Sequence, residues 1–220
     1  MKREFVGRVP VEGSGDLIDA IIEWDEMTID HVETWQSHVQ PHIHGDTNRS
    51  DQSWDWHDFF LGLLPFYQLR GYRPKCLSAI AYSDEGNAVP VGMLFILTRY
   101  PRIDSSGEKS TFTFFLTSAP ASALAELGVT RIPNLGRYLV DCGMVLSVNG
   151  DLNGHSWLHC APQGGERLLN YYAKICKLKK FPRSKSLPML LPRNDGRYFF
   201  SGGAHAEALL AEFDSFRVSV

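Results

Sequence analysis

With 220 residues, 44% hydrophobic and 21% charged, the chain has an ordinary soluble composition and enough length for one sizeable core. A net charge of −3 argues against a whole-surface affinity for nucleic acid. No run approaches the roughly twenty uninterrupted apolar residues of a membrane span, and the amino terminus lacks the apolar stretch of a secretory signal, so a cytoplasmic protein without membrane contact is expected.

In chain order, Gly13, Ser14 and Gly15 open an irregular amino-terminal third. Ile29, Val32, Trp35 and Val39 recur at helical spacing over residues 28–39, with Thr28 or Asp30 able to cap the start. A polar loop over 45–53 follows, and Ser53 can cap a second helix carrying Trp56, Phe59, Phe60, Leu63 and Leu64, which ends near Pro65 or kinks there. Residues 76–82, 89–100 and 111–117 are rich in β-branched and aromatic side chains and are separated by breaker-rich turns, which predicts a three-stranded meander. From 131 the period turns helical, with Leu135, Tyr138, Leu139, Cys142 and Leu146 on one stripe closing near Asn149 and Gly150. A strand over 157–160 and a helix over 165–176 with Leu168, Leu169, Tyr172 and Ile175 on one face complete a layered α/β pattern. Short strands at 189–191 and 198–200 and a terminal helix over 204–216 close the chain. Cys76, Cys142, Cys160 and Cys176 never form a C-x-x-C pair and are read as buried thiols.

The segment Arg131-Ile-Pro-Asn-Leu-Gly136 opens a helix, where backbone N–H groups and the helix dipole can hold phosphate. Here the chain resembles the GNAT-type N-acetyltransferases. Their phosphate loop reads Gln or Arg, two residues, Gly or Ala, one residue, then Gly or Ala; Arg131 and Gly136 match, Asn134 replaces a glycine, and Pro133 lacks an N–H. The run SWLHCAPQGGERLLNYYAKICKLKKF is similar to the fifth strand, fourth helix and start of the sixth strand of that family. The resemblance covers roughly residues 76–200. It implies an α/β (α+β) fold with a mixed central β-sheet whose fourth and fifth strands splay apart, in a single domain over 1–220: variable amino-terminal helices over 1–75, the core over 76–200 and a carboxy-terminal helix over 201–220.

It further implies acetyl-CoA as co-substrate, its pyrophosphate on the backbone of Arg131, Asn134, Leu135, Gly136 and Arg137 and its pantetheine arm along Phe115, Leu116 and Thr117. By its place in the Tyr-Tyr pair, Tyr172 resembles the tyrosine that protonates the departing thiolate, with Tyr171 as fallback and a plain core residue as the other reading. His159, at the end of the inferred fifth strand, is the first candidate for general base or else a structural histidine. Glu23, Asp25 and the Trp54-Asp55-Trp56-His57 cluster come next. The acceptor is an amine of unidentified class, on a small molecule, a peptide or RNA, and the chain is a monomer or homodimer. A silent, cofactor-binding or regulatory module is the alternative.

Two other patterns carry less. His38 and His42 could bind zinc from one helix face, but Pro41 interrupts the helix between them and no H-E-x-x-H is present, so no metal is expected. Adjacent strand residues point to opposite faces, so Cys160 cannot pair with His159 as a nucleophile. The basic run from Lys174 through Lys177, Lys179, Lys180 and Arg183 to Lys185 leaves an RNA or acidic-protein partner open.

Overall fold

The computed structural model describes residues 2–11, 18–105, 107–187 and 194–217. Strands β1 (Arg8–Val11) and β2 (Ile18–Ile21) form an antiparallel ribbon, and β3 (Glu23–Glu26) is the edge strand of a seven-stranded sheet. Sequence patterning placed only helices in this region. The β3 sequence, Glu-Trp-Asp-Glu, has one apolar residue in four and no legible alternation, a composition that an edge strand tolerates.

Helix α1 (Ile29–Thr34) opens as expected at Thr28, whose hydroxyl accepts the N–H of His31 at 3.3 Å. It runs without a break through a widened π-type turn, Trp35–Val39, into α2 (Gln40–His44). Pro41 therefore does not interrupt the helix. It falls in the first turn of α2, after the widened turn has changed the bonding pattern, where a missing N–H costs little. The second helical run behaves alike: a π-type turn, Asp58–Leu63, leads into α3 (Leu64–Leu69) and passes through Pro65. Asp55 caps it rather than Ser53, accepting the N–H groups of His57 and Asp58 at 2.8 and 3.3 Å.

The expected meander is present as β4 (Arg73–Tyr82), β5 (Ala88–Pro101) and β6 (Lys109–Ser118). A short helix, α4 (Ala121–Glu126), follows where no element was expected. Then come α5 (Leu135–Asn149), β7 (Ser156–His159), α6 (Gly165–Asn170) with a π-type extension Tyr171–Ile175, β8 (Lys179–Lys180), β9 (Tyr198–Ser201) and α7 (Gly203–Ala211). The terminal helix expected over 204–216 thus ends earlier, with a separate 3-10 turn at Asp214–Phe216. The strand expected at 189–191 lies outside the described residues.

Strand order is β3-β4-β5-β6-β7-β9-β8, antiparallel throughout except for the parallel β6–β7 pair. The fold is α/β with a mixed sheet, and its fourth and fifth strands, β6 and β7, splay. They pair only from Thr111↔Ser156 to Thr113↔Leu158, while β6 continues to Ser118 with no strand of the described residues on that side. Two apolar clusters lie against the β7 end of the sheet. Trp157 and Tyr198 pack with Phe112 and Tyr100 on the face covered by the amino-terminal helices, whereas Leu158 and Phe199 pack with Leu169 and Tyr172 on the α5–α6 face. This is the period-two alternation of strands.

Candidate functional site

The splay is built by a bulge. Phe115 pairs with Phe95 and Thr113 with Ile96, so Phe114 is an extra residue in β6 immediately beyond its last bond to β7. A bulge bends its strand and re-aims the side chains beside it. Consecutive residues accordingly face the same helices: Phe114 meets Tyr67 at 5.6 Å between ring centroids, and Phe115 stacks on Phe59 at 3.9 Å and against Trp54 at 4.8 Å. Sequence pattern alone cannot show this, since the run TFTFFLT reads as regular alternation until its last aromatic.

Between the splayed strands opens a cleft of about 1110 Å³, walled by β6 from Phe112 to Ser118, the start of α5, the loop after β7 and the α6 helix with its extension. Of the residues singled out from sequence, Phe115, Leu116, Thr117, Arg131, Asn134, Leu135, Gly136, His159, Tyr171 and Tyr172 line it. Arg137 does not. Its guanidinium turns away to Glu212 at 2.8 Å and over the Phe213 ring at 4.7 Å, and its backbone N–H is already bonded to the Asn134 carbonyl at 2.7 Å. Arg137 therefore presents neither its guanidinium nor a free backbone N–H to the cleft. Glu23 and Asp25 are also remote, on β3 with β4 and β5 between them and β6. In the aromatic cluster only Trp54 reaches the cleft; Asp55 is occupied as a helix cap.

Asn134 sits at φ 60°, ψ 17°, the left-handed conformation that asparagine tolerates, and it starts the 15-residue helix α5. The N–H groups of Leu135 and Gly136 take no hydrogen bond among the described residues. Together with Arg131, Arg167 and Lys174, exposed cations on the cleft wall outside every ion pair of the described residues, they offer an anion-binding end. Gly136 is required by close approach. A Cβ there would stand 2.4 Å from the Tyr171 hydroxyl oxygen and 3.3 Å from Cζ of its ring. Gly136→Ala should therefore displace Tyr171 and destabilise the fold by about 1–3 kcal/mol; an unchanged denaturation midpoint would refute this packing.

Tyr172 is 5% exposed, its ring against Phe199 on the α5–α6 face. Burial raises its phenol well above the ordinary value, so the hydroxyl stays a neutral donor. Burial raises Tyr171 as well, and the neighbouring Cys176 thiol adds to the shift. His159 belongs to the opposite face, its ring 4.5 Å from that of Tyr198 and its Nε2 2.9 Å from Asp195 Oδ2. The cleft is thus approached from both faces of the sheet. Cys160 is buried, and burial pushes its thiol up despite the contact with Arg197, so it is unsuited to act as a nucleophile. Of the basic run, Lys177 is engaged by Glu212 at 2.7 Å, and Lys179 and Lys180 form the short strand β8.

The polar loop over 45–53 supplies a feature that its sequence did not signal. Asp51, 5% exposed, receives Arg49 through two bonds of 2.9 and 2.6 Å, and Arg49 also donates to Thr117 Oγ1 at 3.0 Å and the Ser118 carbonyl at 2.9 Å. Thr117 donates to Asp51 in turn. Buried Gln40 holds the Asp51 carbonyl at 3.0 Å while accepting Trp35 Nε1 at 3.0 Å. The helix from Ile29 to His44 thereby anchors the loop that closes the far end of β6. Only a fold that brings residue 51 beside residue 117 makes these polar side chains legible.

No protein-family model matches the chain, and no curated protein matches it in sequence. In structure the chain is similar to a spermidine N-acetyltransferase from Vibrio cholerae in complex with CoA and spermine, at 10% identity, covering 84% of this chain and 98% of that one with a TM-score of 0.46. It is also similar to a GNAT superfamily phosphinothricin acetyltransferase from Sinorhizobium meliloti in complex with acetyl-CoA, at 8% identity, 83% and 90% coverage and a TM-score of 0.45. A third likeness is to a mutant of the toxin AtaT bound to the C-terminus of the antitoxin AtaR and acetyl-CoA, at 13% identity, 86% and 97% coverage and a TM-score of 0.46. Among the described residues no helix is long and apolar enough to cross a membrane, and no three His, Cys, Asp or Glu side chains gather as a metal site.

Proposed function

We propose that the chain is an acetyl-CoA-dependent N-acyltransferase that joins cofactor and amine acceptor in one ternary complex. The observation that carries this reading is the splay of β6 and β7, with unbonded N–H groups of α5 at one end and Tyr172 and His159 entering from opposite faces of the sheet. Leu135 and Gly136 N–H, with Arg131, Arg167 and Lys174, would hold phosphate, and the β6 backbone from Phe115 to Thr117, which faces no strand of the described residues on that side, would hold the amides of an extended arm. Acetyl-CoA supplies an activated acyl thioester there. Tyr172 is the proton donor to the leaving sulfur and His159 the proton acceptor from the amine. Holding both partners in one cleft supplies most of the rate.

Calorimetric titration with acetyl-CoA tests this reading: saturable heat is expected, and no association at millimolar cofactor would overturn it. A second reading, a cofactor-binding module without turnover, is favoured by one observation, the reduced set of donors at the helix start, where Pro133 has no N–H and Arg137 is turned away. Release of free CoA against panels of amines, peptides and RNA separates the two.

A further inference from the structure

Resting on the acyltransferase reading, we propose that Asp195 is the positioning residue of the proton acceptor: it holds His159 as the Nε2–H tautomer and leaves Nδ1 as the atom that takes the amine proton. The geometry begins at the end of β7, where His159 Nε2 lies 2.9 Å from Asp195 Oδ2. Burial alone would raise the Asp195 carboxyl, but the His159 bond and the Arg197 N–H on its other oxygen, at 2.9 Å, hold it below the ordinary range. It is therefore an anion at neutral pH and can only accept, so Nε2 must carry the hydrogen. No bond to Nδ1 is formed among the described residues.

The turn that carries Asp195 is tied down on both sides. Asn194 donates to the carbonyls of Pro182 and Lys185 at 3.0 and 2.8 Å and accepts the Gly196 N–H at 2.9 Å. Arg197 reaches the carbonyls of Cys160 and Ala161, the two residues after His159, at 2.8 and 2.9 Å. His159 and Asp195 side chains are 29% and 38% exposed. An ion pair so exposed contributes roughly 0–1 kcal/mol to stability. Stability therefore does not account for the His159–Asp195 pair, whereas an orienting partner for an imidazole needs the rigidity that these bonds give the turn.

The chemistry balances. The amine nitrogen bonds to the acyl carbon as its proton passes to His159 Nδ1; the carbon–sulfur bond then breaks, and the departing sulfur takes the proton of the Tyr172 hydroxyl. Solvent then takes the added proton from His159 and returns one to Tyr172. His159 stands with Trp157 and Tyr198, on the face of the amino-terminal helices, and Tyr172 on the other, so the acid and the base do not compete for one position.

The test combines imidazole ¹⁵N NMR with steady-state kinetics on Asp195→Ala and Asp195→Asn in the full chain, the His159 signal being assigned by its loss in His159→Gln. The expected result is a single Nε2–H tautomer in the wild type and a tautomer mixture in Asp195→Ala. With it, kcat should fall about 10- to 100-fold at a KM changed less than threefold. In the His159→Gln background the Asp195 change should add almost nothing, as for residues acting in series. An unchanged tautomer, a kcat within twofold of wild type, or a full further loss in the His159→Gln background would each overturn the proposal. Absence of any acyl transfer by wild type would overturn the acyltransferase reading itself, and the tautomer measurement, which needs no substrate, tells the two failures apart.

Discussion

Replacing Tyr172 by phenylalanine is expected to lower kcat for acyl transfer about 100- to 10,000-fold, the range of a positioned general acid, while acetyl-CoA binds as in the wild type. The substitution keeps the ring that packs on Phe199 and removes only the oxygen. Stability should change by no more than about 1 kcal/mol, so a loss of turnover would report chemistry. Because burial holds the phenol well above its usual pKa, Tyr172 remains a proton donor throughout the range in which enzymes are assayed, and no alkaline limb below about pH 10 should trace to it. Tyr171→Phe serves as the internal comparison. Its hydroxyl packs against Gly136, so its loss should act on packing first. A Tyr172→Phe enzyme within threefold of wild-type kcat would remove the acid role from this residue.

How far the sequence reached depended on whether a signal was local. The meander β4–β6 and the helices α5 and α6 announce themselves through apolar period, and the start of α5 through Asn134, whose left-handed backbone is tolerated by the residue itself. The cysteines, read as buried thiols from spacing alone, are all free and buried. What stayed hidden needed partners distant in the chain. Asp51 reads as loop polarity until Thr117 and Gln40 are beside it, and Asp195 follows a Pro-Arg-Asn stretch with nothing to link it to His159, 36 residues earlier. The β3 edge escaped because three acids in four residues suppress the hydrophobic alternation that marks strands. Ile175 shows the converse. Helical spacing placed it with Leu169 and Tyr172, but the π-type turn Tyr171–Ile175 adds a residue to the repeat, and Ile175 rotates out to 47% exposure.

Arg217→Met is expected to destabilise the fold by about 3–5 kcal/mol, a large share of the roughly 5–15 kcal/mol available to a folded domain. At about 2–4 °C per kcal/mol for a chain of this size, the melting temperature should fall by roughly 6–20 °C. Arg217 forks onto Asp141, in the middle of α5, through bonds of 2.9 and 2.7 Å, and it also takes the carbonyls of Glu4 and Leu210 at 2.8 and 3.1 Å. One guanidinium thus clasps the amino-terminal segment and the end of α7 onto the helix that opens the cleft. The two side chains are 7% and 1% exposed, so removing the cation strands a carboxylate in the interior. Burial already pushes Asp141 up to about 6, with Arg217 pulling the other way. A carboxyl raised on folding contributes stability that is full below its unfolded value of roughly 3.9 and is lost as pH rises through about 6. Without Arg217 that window moves upward, so the deficit of the variant should be greatest near pH 8 and shrink as Asp141 takes up a proton toward pH 5. Pairing Arg217→Met with Asp141→Leu removes the stranded charge and should recover much of the loss, since an apolar pair can replace a buried ion pair at little cost. Urea denaturation of the single and double variants across that pH range decides the matter: equal destabilisation of both, independent of pH, would mean that Arg217 acts through its carbonyl contacts alone.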